Sequence, residues 1–201
     1  MKKSAFLLCI IFVFALAILS ATAAHGQTVE PSYEVSLQLL VGSNDGGSSL
    51  EVPQNLSTIS RQLKAAFPFS NYRLAHTLVS RVSNTGMFEY KSVGDLFERP
   101  SDGRQAFFEW SMFNVRNMPT AKGPSGFQAQ SFRFGARVPV VTGNAKDDAG
   151  KLNPIINYES IGLSLSKVGV PENVPTFMGT VNLPGAGGTI FLVVTIKSVD
   201  L

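Results

Sequence analysis

Few side chains in this sequence are suited to chemistry, and the most prominent is His76. It lies in "AFPFSNYRLAHTLVSRV" (residues 66–82), with Ser70, Arg73, Ser80 and Arg81 close by in sequence. A serine nucleophile needs a base within hydrogen-bond reach, and usually a third group to orient that base. Neither serine sits in the G-x-S-x-G turn that exposes such a nucleophile. His76 alternates with Leu74 and Leu78, where an imidazole with one hydrogen bond is an ordinary packing residue. Its functional alternative is pH sensing, because histidine changes charge near neutral pH. A metal centre would need further soft ligands beside it.

Other candidate motifs resolve into turns. "SNDGGSS" (residues 43–49) and "GNAKDDAG" (143–150) carry oxygen ligands, but a calcium loop needs them at alternating positions with a closing carboxylate. Lys146 interrupts the second and Asp45 stands alone in the first. "LPGAGGTI" (183–190) lacks the third spaced glycine of a phosphate loop, and no helix follows to present its N-terminus to an anion. Glu89, Asp95, Glu98, Asp102 and Glu109 could supply a carboxylate pair for glycoside chemistry, yet their spacing singles out no two of them. No catalytic, cofactor-binding or metal-ligating residue is assigned, and a non-enzymatic chain is expected. His76, Tyr72 and Trp110 are carried forward as residues for interaction or pH sensing.

The chain opens "MKKSAFLLCIIFVFALAILSATAAHGQ". Two lysines, an apolar run from Ala5 to Leu19 and a small-residue end have the layout of a secretory signal peptide over residues 1–24, with cleavage between 23 and 26. Loss of that leader removes Cys9, Lys2 and Lys3. The exported domain, residues 28–201, then has no cysteine and carries 15 basic against 14 acidic residues. Disulfides and thiolate chemistry are excluded, and near-neutral charge argues against nucleic acid as a partner. About 175 residues suffice to bury roughly 70% of the extended surface in one core.

The elements that must position these residues are mainly strands. "YEVSLQLLV" (33–41) alternates apolar and polar residues, as a half-buried strand does. "VPQNLSTISRQLKAAFP" places Leu56, Ile59, Leu63, Ala66 and Phe67 at helical steps, so one helix is expected over about 53–67, ended by Pro68. From Tyr72 the period is two, with Tyr72, Leu74, His76, Leu78, Ser80 and Val82 on one face. "SNTG" (83–86) reads as a hairpin turn into "MFEYKSV". "RQAFFEWSMFNVR" is apolar on both faces in places, as a central strand is. In "FQAQSFRFGARVPVV", Phe132, Phe134, Ala136, Val138 and Val140 oppose Arg133 and Arg137.

Residues 142–154 read as the longest polar loop, followed by strands over "ESIGLSLSKV", 175–182 and 189–199. The expected class is α+β: a β-rich, mainly antiparallel sheet or sandwich of seven to eight strands with one packed helix. Tyr33–Val41 and Thr189–Val199 are the expected edge strands. The phenylalanine-rich strands fill the core, or line a cavity for a hydrophobic ligand.

Two segments, "LSTISRQLKAAFPFSNYRLAHTLVSRV" and "VPENVPTFMGTVNLPGAGGTIFLVVTIKSV", together resemble small exported bacterial proteins. The closing strands are similar to those of secretin-like envelope modules, with Glu172 ahead of Phe177-Met178-Gly179. The resemblance implies a role in interaction or assembly within the cell envelope, periplasmic or secreted, with a protein partner and no cofactor. The alternatives are a small outer-membrane β-barrel or a carrier of a small hydrophobic ligand. The helix, and apolar runs such as Phe191–Val194 that ignore dyad alternation, count against the barrel.

Overall fold

The structure is a computed structural model and describes residues 30–44, 52–94, 105–118, 125–182 and 188–199. All elements below belong to the unit Pro31–Leu201. The leader pattern over 1–24, the acidic residues Asp95, Glu98 and Asp102, and most of "LPGAGG" lie outside the described residues.

Nine strands and one helical segment are described: β1 Ser32–Ser43, α1 Ser57–Ala66 entered through a 3₁₀ turn Gln54–Leu56, β2 Asn71–Ser83, β3 Met87–Gly94, β4 Ala106–Phe113, β5 Arg116–Met118, β6 Gly126–Lys146, β7 Leu152–Pro171, β8 Thr176–Asn182 and β9 Gly188–Val199. They form two antiparallel sheets. The first runs β2-β1-β9-β8. In the second, β3 pairs with β4, and β6 lies between β7 on one edge and β4 and β5 on the other. The β-rich sandwich with a packed helix is thus the observed architecture. The ninth strand arises because "AFFEWSMFNVRNM" divides at Asn114, whose φ of 53° breaks the extended run.

A single core fills the space between the sheets. Tyr33, Val35, Leu37 and Leu39 of β1 meet Phe108, Trp110 and Met112 of β4 and Phe132, Phe134 and Ala136 of β6. The helix covers the opposite face of the first sheet. Leu56, Ile59 and Leu63 pack there on Leu40, Tyr72, Phe191 and Val193. This explains why β9 is apolar at every position from Ile190 to Val194: the strand is buried on both faces.

Four expectations are corrected by the pairing. Tyr72 and Leu78 do not share a face. Leu39 pairs with His76 but Leu40 with Leu74, so Ala75 is an extra residue. Such a bulge reverses the side on which successive residues emerge. Tyr72 and Leu74 therefore face the helix, whereas His76 and Leu78 face the sandwich interior. Secondly, "SNTG" does not join a hairpin: β2 belongs to one sheet and β3 to the other, so the chain crosses the sandwich there.

Thirdly, most of 142–154 is strand. β6 and β7 pair continuously through a bulge at Val141/Gly143, as far as Lys146 and Leu152. Polar residues are tolerated because both faces of that two-stranded arm are largely exposed. Fourthly, Tyr33–Val41 and Thr189–Val199 are interior strands of their sheet. The edges are β2 and β8 in one sheet and, in the other, β3 and the short β5 on one side and β7 on the opposite side. These two open sheets also differ from the single closed sheet that a small one-chain barrel requires.

Candidate functional site

The two rims of the sandwich hold its edge strands. At one rim, edge strand β2 lies beside edge strand β3. At the other, β8 lies beside β7. Each rim is drawn together by a glycine of one sheet against a side chain of the other. A methyl group on Gly94 would sit 2.5 Å from His76 Nε2. A methyl group on Gly179 would sit 2.7 Å from Leu163 Cδ2, and Gly179 itself has φ of 153°, which side-chain-bearing residues rarely adopt. The small residues let the sheets approach at their margins, where the interior would otherwise lie open.

The direction of the edges gives the rims their chemistry. All neighbours in both sheets are antiparallel. With four strands in each file, β2 runs opposite to β8 and β3 runs opposite to β7. Unpaired backbone N–H and C=O groups on such edges are templates for a further strand. Edge β7 is 20 residues long and β6 is 21, whereas β4 pairs with β6 only from Ser131 to Arg137. Beyond Arg137 the hairpin continues as an arm. Its tip is ordered by Asp147, whose Oδ1 accepts the backbone N–H groups of Ala149 at 3.0 Å and Lys151 at 2.8 Å. Val141, Leu152, Ile155 and Tyr158 are exposed along it.

The three residues singled out in the sequence do not converge at one surface. Tyr72 is buried under the helix, and its hydroxyl lies 3.0 Å from the carbonyl of Leu63 and 3.3 Å from that of Phe67. Burial pushes its phenol pKa upward. Trp110 is a core residue, 4.6 Å from the Phe88 ring in edge-on contact. Its buried Nε1 has no hydrogen-bond partner among the described residues. His76 is half-buried, with its ring 5.4 Å from that of Phe108, inside the β2–β3 rim. Among the described residues no three His, Cys, Asp or Glu side chains are grouped to hold a metal.

At the β7–β8 rim a carboxylate joins the sheets. Glu172 accepts hydrogen bonds from the Ser125 hydroxyl and from the Ser198 backbone N–H, and these hold its carboxyl below the usual range. Sequence reasoning missed the arm and the true edges. The arm's signal was the alternation in "VPVVTGNAK" and "LNPIINYES", masked by turn-forming Gly, Asn and Pro.

No family model matches the chain, and no curated protein matches it. Among solved structures, the Salmonella SPI-1 type III secretion injectisome secretin InvG (residues 176–end, open gate state) is similar, with a TM-score of 0.33 and 14% identity. The alignment covers 94% of this chain and 65% of that chain, so the sequence spans about two thirds of the protein it resembles.

Proposed function

We propose that this chain is a non-enzymatic assembly domain of the cell envelope, and that the partner it joins is another copy of itself. The observation that carries the reading is the polarity of the rims. A second copy placed with its β8 and β7 against β2 and β3 extends both sheets at once, each in antiparallel register. That contact is heterologous: the assembly always keeps one free rim of each kind, so addition repeats until a ring closes or a filament grows. Strand addition of this kind draws its affinity from main-chain hydrogen bonds. The exported address is supported by the leader pattern over residues 1–24, and an assembly role by the resemblance of the closing strands.

The test is the mass of the chain purified from envelopes after export, measured by light scattering and native mass spectrometry. The expected result is a discrete oligomer or an open series of one repeating unit. Ser80→Lys places a charge on the inward face of edge strand β2, opposite Val35, and is expected to give folded monomers. A protein that stays monomeric up to about millimolar concentration overturns the reading, as does an oligomer indifferent to Ser80→Lys.

A further inference from the structure

We infer that the outer face of the second sheet binds a saccharide bearing a carboxylate. The face is the outer surface of that sheet, to which edge strands β3 and β7 contribute Lys91 and Ser160, and the inference does not rest on self-assembly. Along β4 and β6, Phe108, Trp110, Phe132, Phe134 and Ala136 point into the core, so Phe107, Glu109, Arg133, Gly135 and Arg137 lie on the outside. Gly135 pairs directly with Gly162 of β7. Two adjoining positions on this face therefore carry no side chain, and the backbone forms the floor of a furrow. Two concavities of about 360 Å³ and 270 Å³ meet there, sharing Glu109 and Gly135. Each is of the size that seats one or two sugar rings, near the lower end of small-ligand pockets.

The walls have complementary chemistry. Phe107, 45% exposed, and Tyr158, 40% exposed, stand with their rings 5.6 Å apart. Phe107 lines the larger concavity and offers an apolar surface that the C–H face of a sugar ring covers, and Tyr158 stands beside it, outside both concavities. Arg137 leans on Tyr158, its guanidinium carbon 5.8 Å from the ring centre. Neither Arg137 nor Arg133, on the far side of Gly135, makes an ion pair among the described residues. A guanidinium is the group suited to bidentate capture of a carboxylate. Glu109 lies over Gly135, its Oε1 3.0 Å from where a methyl group on that glycine would be. A carboxylate between two arginines offsets part of their attraction for a simple anion and accepts hydrogen bonds from hydroxyls. That combination favours a polyhydroxylated acid over an aromatic carboxylate, which has an anion to offer and no hydroxyls.

The experiment is a titration of the exported chain, followed by amide chemical shifts and calorimetry. Its probes are a tetrasaccharide of galacturonic acid, a neutral tetrasaccharide, phenylacetate and short polyglutamate. The acidic saccharide is expected to bind, with the neutral one at least tenfold weaker. Phe107→Ala and the double variant Arg133→Gln/Arg137→Gln are each expected to weaken binding at least tenfold. Both act on exposed side chains, and circular dichroism checks that the fold is kept. Gly135→Val, which fills the furrow, is expected to abolish binding without touching either arginine. The inference is overturned if the acidic saccharide fails to bind at about 10 mM, or if phenylacetate alone binds. It is also overturned if polyglutamate binds as well and salt removes both, which is bare charge attraction, or if the variants bind like the parent.

Discussion

Glu172 accepts the backbone N–H of Ser198 at 3.2 Å, and so ties the end of β7 in one sheet to the end of β9 in the other. The same segment bridges to Ile196, whose carbonyl accepts the N–H of Asn173 at 2.9 Å. On its other side Glu172 takes the Ser125 hydroxyl and donates its N–H to the Ser125 carbonyl at 3.0 Å. One carboxylate thus fastens three chain segments where the sheets meet.

Its pH consequence has a definite sign. These hydrogen bonds favour the ionised form and lower the carboxyl pKa from its ordinary 4.5. Its stabilisation is therefore complete above that value and lost as pH falls through the lower, folded-state value. Glu172→Gln is expected to cost about 1 kcal/mol at neutral pH, discounted for its partial exposure. It should also flatten the acid limb of the stability curve. Denaturant melts at pH 7 and on either side of the carboxylate range check this; parallel acid limbs for both proteins refute it.

Tyr72 makes a second measurable fastening. Its hydroxyl donates to the carbonyl of Leu63, which also accepts the Phe67 N–H at 2.9 Å, and lies 3.3 Å from the carbonyl of Phe67 just past the helix end. Tyr72→Phe keeps the ring beside Phe191 and removes only the oxygen, so a loss of about 1 kcal/mol is expected. Leu63→Ala empties part of the same cluster and is expected to cost about 2–5 kcal/mol. Thermal and urea melts distinguish the two.

How much of this was legible in the sequence divides along physical lines. The helix at 53–67 and the β9 strand were readable because burial imposes a period, or its absence, on consecutive residues. The arginines opposite Phe132 and Phe134 were placed on the correct face for the same reason. The Ala75 bulge was not readable, since one inserted residue leaves the apolar pattern nearly unchanged while reversing the face of Tyr72 relative to His76. Nor were the edges. Which strand lies outermost depends on long-range pairing, and β1 carries the same alternation in the middle of its sheet that an edge strand would. The furrow was invisible because Gly135, Glu109 and Ser160 come from three strands that meet only in the folded sheet.

The long hairpin separates structure from function. Residues 139–158 run beyond the last β4 pairing, and most of their side chains are exposed. Replacing them with Asn-Gly joins Val138 to Glu159, which are already cross-strand partners, through a two-residue turn that antiparallel strands accept. The expected cost is about 1–2 kcal/mol, from the lost packing of Val140. The melting transition should stay cooperative. If the arm contributes edge to the assembly, the shortened protein associates more weakly while folding normally. An unfolded product would instead make the arm part of the core.

The contact between Gly94 and His76 tests what the histidine does. Gly94→Ala would force a methyl group to within 2.5 Å of Nε2 and 3.2 Å of the Phe108 ring, so the β2–β3 rim must open or the imidazole must turn. A loss of about 1–3 kcal/mol is expected, as for overpacking elsewhere. His76→Ala alone removes a half-buried ring and should cost about 1 kcal/mol or more. If the histidine is a packing residue against that glycine, the double variant recovers part of the loss. The two changes then couple by about 0.5–3 kcal/mol in a double-mutant cycle. Additive losses would show that the rim does not depend on this contact. Melts of the four proteins at one pH decide between these outcomes.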